Sequence, residues 1–95
     1  MYTMYLKAPD ISSDFDSAKG AADSLARELL GECACMSWYD RIADHEAPAH
    51  ASECHDDSCE LPGYVEYAQS RGAELMIDVG DGNFVFCYRP LGDFA

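Results

Sequence analysis

The stretch LMIDVGDGNFVFCYRP, residues 75–90, constrains the fold more tightly than any other part of the chain. Leu75, Ile77 and Val79 alternate with Met76 and Asp78, so three branched apolar side chains share one face of an extended segment. Gly80-Asp81-Gly82-Asn83 then supplies residue types that tolerate the positive φ angles of a tight reversal, and Phe84 to Tyr88 follows as an aromatic and β-branched run. This pattern predicts a β-hairpin. A chain of 95 residues fits one domain with a single core and is too short for two.

Other periodicities supply the pieces. Phe15, Ala18, Ala22, Leu25 and Leu29 recur at spacings of three and four, which predicts a helix over about 14–30 with Gly31 as its stop. Ser13 followed by Asp16 resembles a capping box, and Lys19, Asp23 and Arg27 form opposite-charge i,i+4 pairs on the other face. Tyr2–Lys7 alternates as a strand, and Cys33–Arg41, carrying Trp38 and Tyr39, follows the helix stop as a second. Pro62 opens a short helix in which Val65 and Ala68 share a face and Gly72 marks the end. The expected order is βαβ-loop-αββ: an α+β fold, a small two-layer sandwich of about four strands with two helices on one face. Residues 1–95 form a single domain, interrupted by a long acidic loop at about 42–61.

Charge narrows the partners. Eighteen acidic against six basic residues give a net charge of −12, which repels phosphate backbones and anionic lipid surfaces, so neither nucleic acid nor membrane is expected. MYTMYLKAPD has neither a basic n-region nor an apolar h-region, and no stretch approaches the roughly 18 apolar residues of a membrane span. A cytoplasmic location is the expectation. Five cysteines cannot all pair within the chain, and in a reducing compartment they stay thiols.

Chemistry concentrates in HEAPAHASECHDDSCE, residues 45–60. His45, His50, Cys54, His55 and Cys59 exceed the four ligands of a closed zinc site, but the Cys-x2-Cys and His-x3-5-His units of familiar zinc modules are absent. The neighbouring Glu46, Glu53, Asp56, Asp57 and Glu60 do not follow a calcium-loop pattern and suit a solvated acidic loop equally. Cys54 beside His55 invites a thiol nucleophile, yet adjacency in sequence does not give the required hydrogen-bond geometry, and acidic neighbours disfavour the thiolate. Cys33 and Cys35, two apart on a strand, point to one face, as core thiols or as ligands to a soft metal. Trp38, Tyr39, Arg41, Tyr64 and Tyr67 are candidates for a binding surface, with completion of the core or a structural salt bridge as the plainer alternative.

SWYDR at 37–41, SECH at 52–55, PGYVEYAQSRGAEL at 62–75 and FVFCYRP at 84–90 together resemble a family of small uncharacterised prokaryotic domains of unknown function. The resemblance implies an α+β fold and carries no activity or site residue.

The leading expectation is a non-enzymatic binding or interaction module. A zinc-type metal protein using the 45–59 cluster is the alternative, and a cysteine-dependent enzyme centred on Cys54 the third. An exposed edge in so small a sheet favours a homodimer. Folding is expected to need no metal, because the helix and hairpin each supply an apolar face. Thermal unfolding should therefore stay cooperative after exhaustive chelation, and its loss would show that metal binding contributes to folding.

Overall fold

The chain is seen in a computed structural model that describes residues 2–7, 14–47 and 63–91. Its elements are β1 (Tyr2–Leu6), α1 (Phe15–Leu30), β2 (Cys33–Asp40), β3 (His45–Ala47), α2 (Gly63–Ser70), β4 (Leu75–Val79) and β5 (Phe84–Pro90). The strands form one five-stranded sheet in the order β1-β4-β5-β2-β3. β1 runs parallel to β4, and the remaining neighbours are antiparallel. β1 and β2 thus point the same way with the hairpin between them, joined by α1 across the sheet. The α+β class holds.

Two expectations about the layers are corrected. The segment read as a loop contains β3, which pairs Glu46 with Tyr39 and Ala47 with Trp38 and makes the sheet five-stranded. The helices lie on opposite faces of the sheet, not together on one. Phe84, Phe86 and Tyr88 face a cluster with Ala18, Ala22 and Ala26 of α1, whereas Val85 and Cys87 face Tyr64, Val65 and Ala68 of α2. A strand buried on both sides needs cover on both, and the unbroken apolar run FVFCY is the sign of such a strand.

α1 begins at Asp14, whose carboxylate accepts from the Ser17 amide at 3.0 Å and the Ser17 hydroxyl at 2.6 Å. The cap is Asp14, and Ser13, the expected one, lies outside the described residues. At the other end Gly31 takes φ 74°, and its N–H donates to the Arg27 carbonyl. The buried stripe is Ala18, Ala22 and Ala26, all fully inaccessible, while Leu29, expected inside, is half exposed. Alanines let the helix backbone approach the sheet closely, which leaves the longer side chains on either flank of the stripe.

On the other face, a register shift between Cys35 and Ser37 lets β2 bulge. Ser37 becomes a buried polar residue of the core, and its hydroxyl donates to the Tyr64 carbonyl at 2.6 Å. That bond ties the bulge to the first turn of α2 and leaves no stranded hydroxyl. The 80–83 turn is held by the Gly82 N–H donating to the Asp78 carboxylate at 2.6 Å, with Asp81 and Gly82 at φ 54° and 89°. Among the described residues no helix is long and apolar enough to cross a membrane.

Enlarging the inaccessible Ala22 should be costly, since the sheet lies directly beneath it. Ala22→Leu is expected to destabilise the fold by about 1–3 kcal/mol in urea denaturation, with an unchanged m-value.

Candidate functional site

Close packing of the alanine stripe swings Lys19, Asp23 and Arg27 over the end of the sheet, where Cys33 and Cys35 of β2 and Tyr88 of β5 meet them. These six residues line a hollow of about 130 Å³. The charged residues read as i,i+4 pairs thus form one wall of this hollow. Its centre is Asp23, which accepts from the Tyr88 hydroxyl at 2.6 Å and from the Lys19 ammonium at 2.9 and 3.2 Å. The carboxylate has a neutral partner from the sheet and a charged one from its own helix, so it is held in one orientation. Among the described residues the guanidinium of Arg27, on the exposed rim, has no hydrogen-bond or ion-pair partner.

Both thiols are kept protonated. Burial raises the Cys35 thiol to about 11; the Lys19 charge opposes the rise and Asp23 adds to it. Burial also raises Cys33, against the attraction of Arg27. The Cys35 thiol donates to the Ser37 carbonyl at 3.4 Å. Tyr88 is driven far above the ordinary phenol range, first by burial and then by its bond to the Asp23 carboxylate. The hollow therefore presents two cations, one tethered carboxylate and two neutral thiols. That arrangement offers donors to a small anion, and the raised thiols disfavour the thiolate.

The residues singled out in the sequence fall elsewhere. Trp38 turns to the α1 side and packs on Phe15 with ring centroids 4.7 Å apart. Tyr39 lies on the α2 side, stacked on the buried Tyr64 at 5.4 Å with an interplanar angle of 13°. Tyr67 carries the Arg71 guanidinium 3.8 Å above its ring. Arg41 bonds the Asn83 side chain, and its N–H donates to the Asn83 carbonyl at 2.8 Å, so it pins β2 to the hairpin turn. Trp38 and Tyr39 thus lie on opposite faces, Tyr64 and Tyr67 belong to α2, and Arg41 sits at the hairpin turn. Of the metal candidates, His45 is exposed on β3, and His50, Cys54, His55 and Cys59 lie outside the described residues. Among the described residues no group of three or more His, Cys, Asp or Glu side chains is placed to hold a metal ion.

Sequence reasoning missed the hollow because its walls come from residues 19–35 and residue 88, and the contact joining them spans 65 positions. The available signal was local: an i,i+4 Lys-Asp-Arg series in a chain poor in cations, with Cys33-x-Cys35 just beyond the end of the same helix.

The raised thiols set a pH dependence. Cys35 and the fully buried Cys87 both stand at about 11 in the folded chain against 9.0 ordinarily, in each case through burial first. The folded state keeps protons that the unfolded chain has released, so this stabilisation is complete below about pH 9 and is lost as pH rises towards 11. A rise of this size corresponds to at most about 2–3 kcal/mol for each thiol. Urea midpoints measured from pH 7 to 11 should fall in the upper part of that range, and Cys87→Ala should flatten the fall.

No curated protein matches this chain. The crystal structure of AF1514, described as a novel protein of Archeoglobus fulgidus DSM 4304, is similar over 98% of both chains, with a TM-score of 0.72 and 22% sequence identity. That likeness concerns the fold. Residues 1–88 match the model of a family described as a domain of unknown function, DUF5619, and the chain belongs to that family.

Proposed function

We propose that the protein is a non-enzymatic binding module whose ligand is a small anion held in the hollow between α1 and the ends of β2 and β5. One observation carries this reading. Of only six basic residues in a chain of net charge −12, two line the same hollow, and the Arg27 guanidinium there has no partner among the described residues. Lys19 is neutralised by Asp23, which leaves Arg27 as the surplus positive charge at the mouth. A carboxylate or phosphate oxygen is the natural partner for a guanidinium with free N–H donors, and the protonated thiols offer weak donors and polarisable surface behind it.

The chemistry favours binding over catalysis. Neither thiol is lowered towards the thiolate, and among the described residues the lining includes no imidazole to accept a proton. Three free thiols at Cys33, Cys35 and Cys87 suit a reducing compartment, in keeping with a cytoplasmic location. Zinc held by Cys54, Cys59 and the loop histidines remains a separate reading, tested by metal content and by substitution of Cys54.

The experiment is an amide-resolved NMR titration of the isotope-labelled protein with inorganic phosphate and with acetate. Shifts should concentrate on Lys19–Arg27, Cys33–Cys35 and Tyr88, and Arg27→Gln should weaken binding by about tenfold, as expected for loss of a charged hydrogen bond. Diffuse shifts, or affinity unaffected by Arg27→Gln, would overturn the proposal. Rapid alkylation of Cys33 or Cys35 by iodoacetamide at pH 7 would favour a thiol enzyme instead.

A further inference from the structure

We propose that β1 is a self-complementary edge on which a second copy of this chain docks antiparallel, extending the sheet across a two-fold axis at Met4. The proposal goes beyond ligand binding in the hollow and is independent of it.

The backbone sets the pairing. The Tyr2 N–H donates to the Glu74 carbonyl at 2.9 Å, and the Leu6 carbonyl accepts from the Gly80 N–H at 2.8 Å, so the polar groups of Tyr2, Met4 and Leu6 point inward to β4. Those of Thr3 and Tyr5 point outward, where among the described residues no strand pairs with them. An antiparallel pair needs outward residues opposite outward residues. Centring the two-fold on Met4 sets Thr3 against Tyr5 of the second copy and Tyr5 against its Thr3, with four interchain hydrogen bonds. The same register overlaps all five residues of the strand, setting Tyr2 against Leu6 and Met4 against itself.

The side chains agree with this register. Each Thr–Tyr pair is an aromatic and β-branched cross-strand pair, the kind that stabilises antiparallel sheets. Tyr2 and Tyr5 are 81% and 69% exposed in the single chain, a large apolar surface on so short a strand. Leu6 of the second copy arrives beside Tyr2, at a groove of about 380 Å³ lined by Met4, Leu75, Leu30 and the half-exposed Leu29. The charge pattern fits as well. β1 contains no acidic residue, and the register carries Lys7 of the second copy, which with Asp81 of its own chain forms an exposed pair at 3.0 Å, to the start of the strand, on the side of the exposed Glu74. The opposite edge is guarded differently: β3 has three residues, begins with exposed His45 and follows Asp44 at φ 55°. One edge is short, charged and kinked, and the other is longer and apolar.

Sedimentation equilibrium on the full chain tests the proposal. Wild type should be a dimer at micromolar concentration. Tyr5→Pro removes an outward N–H that β4 does not use, so it should keep the circular dichroism of the fold while weakening association at least about tenfold. Thr3→Glu combined with Tyr5→Glu should give monomer, and Thr3→Lys combined with Tyr5→Glu should restore the dimer, because the register sets opposite charges face to face. A wild type that stays monomeric at high concentration would overturn the proposal. So would a dimer that survives both Tyr5→Pro and the paired glutamates, since it would be joined by another surface.

Discussion

Everything in this fold is arranged around β5, a strand with no free face. Phe84, Val85, Phe86, Cys87 and Tyr88 are all buried, which sends successive side chains into two separate cores. Burying a large apolar side chain contributes about 1.5–3 kcal/mol, but only if something covers it. Two helices of unequal length are therefore needed, one for each side, and the chain brings them in before the hairpin is made. α1 covers the three aromatic rings, and the shorter α2 covers Val85 and Cys87, with the Ser37–Tyr64 bond anchoring its start.

The hollow follows from the same constraint. Tyr88 is the last of the β5 aromatics on the α1 side, and burying its ring brings the phenol hydroxyl to the level of the third turn of α1. Such a group is costly without a partner, and Asp23 supplies one. Next to it the side chains on β2 are small, Cys33 and Cys35, and they leave a gap beneath Lys19, Asp23 and Arg27. Close packing over the alanines and space beyond them are two consequences of one helix orientation. The site is built where the core runs out.

What was legible in the sequence is what depends on neighbours a few residues apart. The hairpin, the span of α1, the strand read over Cys33–Arg41 and found at Cys33–Asp40, and the α2 stop at Gly72 all rest on period-two or period-three-to-four patterns with glycine punctuation, and each is present. The layering was misread because FVFCY has the same composition whether a strand is covered once or twice, and only the continuity of the run carries the difference. β3 escaped because three residues are too few to show a period. Leu29 was assigned to the core by spacing alone, but the stripe that packs is set by how closely the backbone can approach, and the alanines decide that. The partnership of Tyr88 with Asp23 has no local signature at all.

The distribution of positive charge gives the last step. In a chain with three carboxylates for every base, a Lys or Arg finds a partner easily, and most surface pairs formed in this way contribute little. Lys7 meets Asp81 at 3.0 Å with both side chains mostly exposed, a pair of this ordinary kind. Lys19 and Asp23 differ because both are about two-thirds buried and the carboxylate is also held from the sheet by Tyr88. The usual uncertainty about an i,i+4 pair, whether either side chain keeps its place, is removed by the third partner. Asp23 is thereby committed, and it cannot turn to neutralise Arg27 one helical turn further on without giving up the Tyr88 bond. Among the described residues, the carboxylate that lines the hollow beside Arg27 is thus held by a buried tyrosine and is not turned towards the guanidinium.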